Sequence, residues 1–175
     1  LSTKPEDGNP LIKGVDPGAS VGLDMKYAIT PALTLTATVN PDFGQVEADP
    51  AVVNLSAFET FFPERRPFFV EGSGVFRFDM DCNDGSCTGL FYTRRIGRTP
   101  QLGADVPDNG FFASPTNTTI LGATKITGRI GGFSVGVLNA LTAEEEATVA
   151  IGSLQSTQPI EPFARYTVGR LRREF

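Results

Sequence analysis

Residues 21–39 read VGLDMKYAITPALTLTATV. Val21, Leu23, Met25, Tyr27 and Ile29 alternate with Gly22, Asp24, Lys26 and Ala28. After Thr30-Pro31 the alternation resumes, with Leu33, Leu35, Ala37 and Val39 set against Thr34, Thr36 and Thr38. A period of two, rich in β-branched residues, is the pattern of a strand with one face covered. The short Thr-Pro-Ala connection returns the chain antiparallel. This stretch therefore predicts a hairpin and sets the fold class as all-β.

Working outward, residues 118–141 repeat the pattern. Ile120, Gly122, Thr124 and Ile126 occupy one face, Lys125, Thr127 and Arg129 the other, and Gly131-Gly132 makes the turn before Phe133, Val135 and Val137. Residues 160–175 read as a last strand and 142–158 as a polar loop holding Glu144, Glu145 and Glu146. Residues 73–98 read as a further hairpin, through Val75, Phe76 and Phe78 to a polar tip and back along Leu90, Phe91, Tyr92 and Arg94. Residues 99–117 are loop, and residues 1–19, rich in Pro, Gly and Asp, are linker. The expected architecture is an antiparallel up-and-down meander of about seven strands over 20–175, a segment of an outer-membrane-type β-barrel. An unclosed meander leaves two raw edges, so further strands or neighbouring chains are expected beside it.

Residues 40–72 interrupt the strands. Asp49-Pro50 resembles an N-cap with Pro in the first helical position. Val52, Leu55, Phe58 and Phe62 follow at helical spacing. A short helix over about 50–61 is expected, stopped by Pro63 and Pro67. Glu64, Arg65 and Arg66 lie between those prolines, flanked by Phe61, Phe62, Phe68 and Phe69. We read 40–72 as a helix-containing, plug-like insertion.

Composition removes several chemistries. The chain has 175 residues, no His and a net charge of −5. Without imidazole there is no Ser-His or Cys-His nucleophile pair and no ordinary zinc site. The acidic balance opposes nucleic-acid binding. No apolar run reaches the ~20 residues a membrane helix requires. Barrel strands need only ~9–11 alternating residues, which hydropathy does not detect. No signal peptide is visible at Leu1, so the chain reads as a mature product or an internal fragment.

Longer blocks carry a resemblance. They are Asn40-Pro-Asp-Phe-Gly-Gln-Val-Glu-Ala-Asp-Pro50, Asn54-Leu-Ser-Ala-Phe-Glu59, Glu64-Arg-Arg-Pro-Phe-Phe-Val-Glu71, Tyr92-Thr-Arg-Arg-Ile-Gly-Arg98 and Val168-Gly-Arg-Leu-Arg-Arg173. Over about residues 20–175 the chain resembles a family of large bacterial proteins of unknown function. Its members typically join an N-terminal domain like carbohydrate-binding module family nine to a C-terminal outer-membrane β-barrel. The resemblance implies that this chain starts the barrel region, at the cell surface and in contact with outer-membrane lipid. Transport, surface binding or anchoring are the implied roles, with glycans as a ligand class. The family lends no catalytic residues.

The charged residues Glu47, Asp49, Glu59, Glu64, Arg65, Arg66 and Glu71, joined by Arg94, Arg95 and Arg98, form the main candidate constellation. Paired carboxylates would suit glycoside hydrolysis. Acids and arginines nearly balance, however, and pairing opposes the raised pKa a general acid needs. A salt-bridge network fixing a plug inside a polar lumen is the preferred reading. Cys82 and Cys87 bracket Asn-Asp-Gly-Ser and suit a disulfide in an oxidising compartment. Asp79, Asp81 and Asn83 resemble a calcium loop, but Gly85 comes one place late and Phe91 stands where a bidentate Glu belongs. No cofactor is therefore expected. Two other classes compete with the barrel segment: a structural subunit assembling through open strand edges, and a carbohydrate-active hydrolase.

Overall fold

The computed structural model describes residues 10–11, 21–41, 62–83, 86–107 and 110–173, with backbone alone for 79–83 and 86–88. Its strands are β1 Leu23–Thr30, β2 Leu33–Val39, β3 Asp79–Asn83, β4 Ser86–Gly89, β5 Phe111–Ala113, β6 Ile120–Ile130, β7 Phe133–Thr142, β8 Glu145–Ile151, β9 Leu154–Glu161 and β10 Ala164–Arg173. All pairings are antiparallel. The fold is all-β, as the alternation predicts. The main sheet runs β1-β2-β6-β7-β10, with β1 and β10 as its open edges. Smaller sheets are β5-β8-β9 and the β3-β4 hairpin. No helix among the described residues is long and apolar enough to cross a membrane.

Three expectations change. Residues 142–158 are not a polar loop: β8 and β9 continue β7 and β10 as one long hairpin, with Thr142 opposite Ala164 and Glu145 opposite Glu161. Residues 73–98 contribute no strand to the main sheet. Ser73–Phe76 and Thr93–Arg95 are 3-10 turns around the separate β3-β4 hairpin. Residues 99–117 include a short strand, β5, which pairs with β8. The helix expected over 50–61 lies outside the described residues. The described helix, α1 Pro67–Val70, is a single turn opened by Pro67. Proline fits there because its fixed φ suits the first helical position and its missing N–H has no partner to lose.

Residues directly opposite on paired strands share a face, so the register sorts the main sheet. One face carries Asp24 and Lys26 on β1, Thr34, Thr36 and Thr38 on β2, Ala123, Lys125, Thr127 and Arg129 on β6, Ser134, Gly136, Leu138 and Ala140 on β7, and Tyr166, Val168, Arg170 and Arg172 on β10. The other carries Leu23, Met25 and Tyr27, then Leu33, Leu35, Ala37 and Val39, then Gly122, Thr124, Ile126, Gly128 and Ile130, then Phe133, Val135, Val137, Asn139 and Leu141, and finally Arg165, Thr167, Gly169, Leu171 and Arg173. The register slips between Ile120 and Gly122. This bulge moves Ile120 to the first face, where it is buried beside Ala123, and not to the face of Thr124 and Ile126 that simple alternation assigns.

The polar face is the covered one. Residues 62–78 and 91–96 lie across it. Phe68, Phe69, Phe76 and Ile96 pack onto Ile120, Ala123, Leu138 and Ala140 in one buried cluster, with Val75, Phe91, Tyr166 and Val168 at its margin. Gly136 permits the closest approach. A Cβ there would overlap the Val75 side chain and sit 3.0 Å from the Phe76 ring. The apolar face is open: Leu23, Met25, Tyr27, Val39, Ile130, Val137 and Leu171 are all exposed.

Candidate functional site

A segment that crosses a sheet without joining it must find partners for its own carbonyls. Here basic side chains supply them. Lys125, 2% exposed, donates its ammonium to the carbonyls of Phe68 and Glu71 and lies 4.8 Å from the Phe68 ring centroid. Arg170 donates to the carbonyls of Val75 and Arg77 and lies over the Phe78 ring. Arg94 donates to the Pro63 carbonyl at 2.8 Å and lies over Phe62. Tyr92 holds both backbone groups of one residue: its hydroxyl accepts from Phe62 N–H at 2.8 Å and donates to the Phe62 carbonyl at 3.1 Å. At the far margin, the Tyr166 hydroxyl donates to the Arg95 carbonyl at 3.4 Å.

Glu64 and Arg66 form the centre. Arg66 grips the carboxylate with two parallel bonds, Nε to Oε1 at 2.8 Å and Nη2 to Oε2 at 2.7 Å. Its remaining donors reach the Ile96 carbonyl at 2.6 Å and the Thr93 carbonyl at 3.0 Å. Its guanidinium stacks 4.3 Å from the Phe69 ring centroid. Glu64 also accepts from the Thr93 hydroxyl at 2.6 Å and from the backbone N–H groups of Arg65 and Arg66. The side chains of Glu64 and Arg66 are only 14% and 11% exposed. A forked pair so little exposed fixes orientation as well as charge.

The proton state of Glu64 follows. Burial is the largest single influence and pushes its pKa up. The hydrogen bond and charge of Arg66, with the Thr93 hydroxyl and the Arg66 backbone N–H, together outweigh it and hold the carboxyl below its ordinary value. Glu71, exposed and paired with Lys26, is likewise held low, first by that hydrogen bond. A depressed carboxyl contributes stability that is complete above its unfolded pKa, about 4.3, and lost as pH falls through the folded value. Residues 62–98 should therefore become more susceptible to protease below about pH 4, and Glu64→Gln should remove much of that acid response. An unchanged acid midpoint in Glu64→Gln would count against Glu64 as the titrating group.

Of the ten charged residues singled out in the sequence, seven lie among the described residues. Glu64 and Arg66 pair. Glu71 pairs with Lys26 instead, and Arg94 serves a carbonyl. Arg65 and Arg95 are exposed, with Arg95 contributing its backbone carbonyl. Arg98 contributes its carbonyl to Thr118, whose N–H and hydroxyl both donate to it. Glu47, Asp49 and Glu59 lie outside the described residues. So do the side chains of Cys82, Cys87, Asp79, Asp81 and Asn83; the backbone register sets Cys82 opposite Cys87. Among the described residues no group of three His, Cys, Asp or Glu side chains gathers as a metal site. The sequence reading missed Lys26, Lys125, Arg170, Tyr92 and Thr93, and also Glu161, a buried acid accepting from Gln101 N–H at 2.8 Å.

At Glu64 the arrangement suits docking. A carboxylate saturated by five donors and held ionised has no proton to give. Two shallow clefts, of about 90 and 190 Å³, lie between the 99–104 loop and β5-β8-β9 and beside Arg170 and Arg172. Both fall below the ~300 Å³ at which drug-sized ligand pockets begin.

A family model described as "Domain of unknown function (DUF5916)" matches residues 12–175. The chain belongs to this family. DUF5916 carries no assigned activity in its description, so the family fixes kinship and leaves the role to the geometry. No curated protein and no solved structure matches the chain.

Proposed function

We propose that this DUF5916 chain forms part of the wall of a bacterial outer-membrane β-barrel, with residues 62–98 as a plug against its inner face. The observation that carries the reading is the apolar face that the main sheet leaves open while its opposite, mixed face is covered. A water-soluble sheet covers its apolar face and solvates its polar one. This sheet buries Lys125 and Thr38 beside Ala123, Leu138 and Ala140 on its covered face, and leaves Leu23, Met25, Tyr27, Ile130 and Leu171 open. Barrel walls in lipid have that arrangement: apolar side chains out, polar side chains into the lumen.

Three details support lipid as the outer neighbour. Among the described residues, the charges on the open face are Arg165 and Arg173, at the two ends of β10, where headgroups would meet them. Asn139 and Thr167, polar and on the same face, satisfy each other at 2.6 Å, as groups facing hydrocarbon must. Strands β6, β7 and β10 have 11, 10 and 10 residues, close to the ~9–11 that cross a bilayer when tilted. In this reading the edges at β1 and β10 pair with further barrel strands, which removes the exposed ladders.

Cys82 and Cys87 fit the same compartment. Asn83 and Ser86 flank a two-residue connection, and in such hairpins the closing pair is hydrogen-bonded. The next pair, Cys82 and Cys87, then falls at a non-hydrogen-bonded site, with Cα atoms about 4.5 Å apart, within disulfide reach.

The test is fractionation. Protein carrying this chain should sediment with outer membranes, resist carbonate extraction and dissolve only in detergent. Recovery in the soluble fraction as a monodisperse protein would refute the reading.

A further inference from the structure

Resting on the barrel reading, we infer the sidedness of the wall: the rim holding Pro31-Ala32 and Gly131-Gly132 faces the periplasm, and the β5-β8-β9 sheet stands outside the cell. The register places these features without reference to any membrane. Thr30 is opposite Leu33, Leu33 opposite Gly128, and Ile130 opposite Phe133. Both two-residue turns therefore lie at one end of the main sheet. At the other end Val39 is opposite Gly122, and Thr142 opposite Ala164. Both long excursions, residues 40–119 and 143–163, leave and re-enter there.

Barrels inserted in outer membranes keep short turns on the periplasmic side and long connections on the extracellular side. Applied here, the rule has two consequences. The plug enters the lumen from outside, because it belongs to the 40–119 excursion. The β8-β9 extension projects into the medium and is braced there rather than loose. Asp105 and Gln158 exchange two hydrogen bonds, Leu102 N–H donates to the Ile160 carbonyl, and Glu161 receives Gln101 N–H. Its residues suit that setting, since β9 exposes Leu154, Gln155, Ser156 and Thr157 on both faces, whereas β10 below it alternates.

Cysteine labelling tests the assignment. In full-length protein with Cys82→Ser and Cys87→Ser, single cysteines are placed by Ser153→Cys, at the tip between β8 and β9, or by Ala32→Cys, in the β1-β2 turn. Cells are treated with a membrane-impermeant maleimide before and after outer-membrane permeabilisation. Ser153→Cys should label equally under both conditions, and Ala32→Cys only after permeabilisation. The reverse pattern in protein that still fractionates with the outer membrane would overturn the sidedness and spare the barrel. Labelling of neither site in intact cells would also overturn the sidedness, whereas labelling of both in intact cells would overturn the barrel as well. Protease shaving of unmodified cells gives a check free of substitutions: a nick at Gly152-Ser153 is expected, and a nick at Gly131-Gly132 instead would reverse the assignment.

Discussion

Replacing Arg66 with alanine is expected to destabilise the docked segment by about 3–5 kcal/mol, the usual cost of removing one partner from a buried ion pair. Glu64 would keep its burial and lose its largest source of compensation. The carbonyls of Ile96 and Thr93 would lose a donor at the same stroke, and Phe69 its stacked cation. Arg172→Ala is the matched control. Arg172 is exposed on the same sheet face beside Arg170 and Ser134, and its loss should stay within about 0.5 kcal/mol. Thermal unfolding in detergent, together with hydrogen exchange over residues 62–98, separates the two variants. Equal melting temperatures and equal exchange would remove Arg66 as the anchor of this segment.

Lys125→Met is the second large effect. Two terms oppose each other. Taking an ammonium out of the interior relieves its desolvation, and an apolar side chain of similar length can fill the space. Against that, the carbonyls of Phe68 and Glu71 stay behind without their donor, at about 1–3 kcal/mol each. The contact with the Phe68 ring adds roughly 0.5–2 kcal/mol. The acceptors belong to main chain that cannot turn away, so the loss should dominate at about 3 kcal/mol. Amides of residues 68–72 would then exchange roughly a hundredfold faster while the β6-β7 ladder stays protected. Unchanged exchange over 68–72 would show that packing of Phe68, Phe69 and Phe76 holds the segment unaided.

What the sequence disclosed, and what it hid, follows from which forces leave a periodic trace. Strands β1, β2, β6, β7 and β10 were legible because one face of each is apolar and the other polar. Strand β9 was not, because its first half, Leu154 to Thr157, is solvated on both faces and its Gln155-Ser156-Thr157 run carries no period. Residues 73–78 looked like strand because Val75, Phe76 and Phe78 are apolar, but they are apolar in order to cover a neighbour. Lys125 was assigned correctly to the polar face of its strand. Its burial was illegible, because the segment covering it begins some fifty residues earlier in the chain. The charged constellation was only partly legible for a related reason. Glu64 and Arg66 show as an acid and a base two positions apart. Lys125, Arg170 and Arg94 donate to backbone carbonyls, and a carbonyl looks the same in every residue.

That last preference has an evolutionary corollary. Lys125, Arg170 and Arg94 grip main-chain oxygen, so residues such as Val75 or Arg77 can change identity without removing the acceptor. Spacing is another matter. One residue added or deleted between Phe68 and Arg77 would pull the acceptors of Lys125 out of step with those of Arg170, and tolerance of substitution should therefore coexist with intolerance of length change.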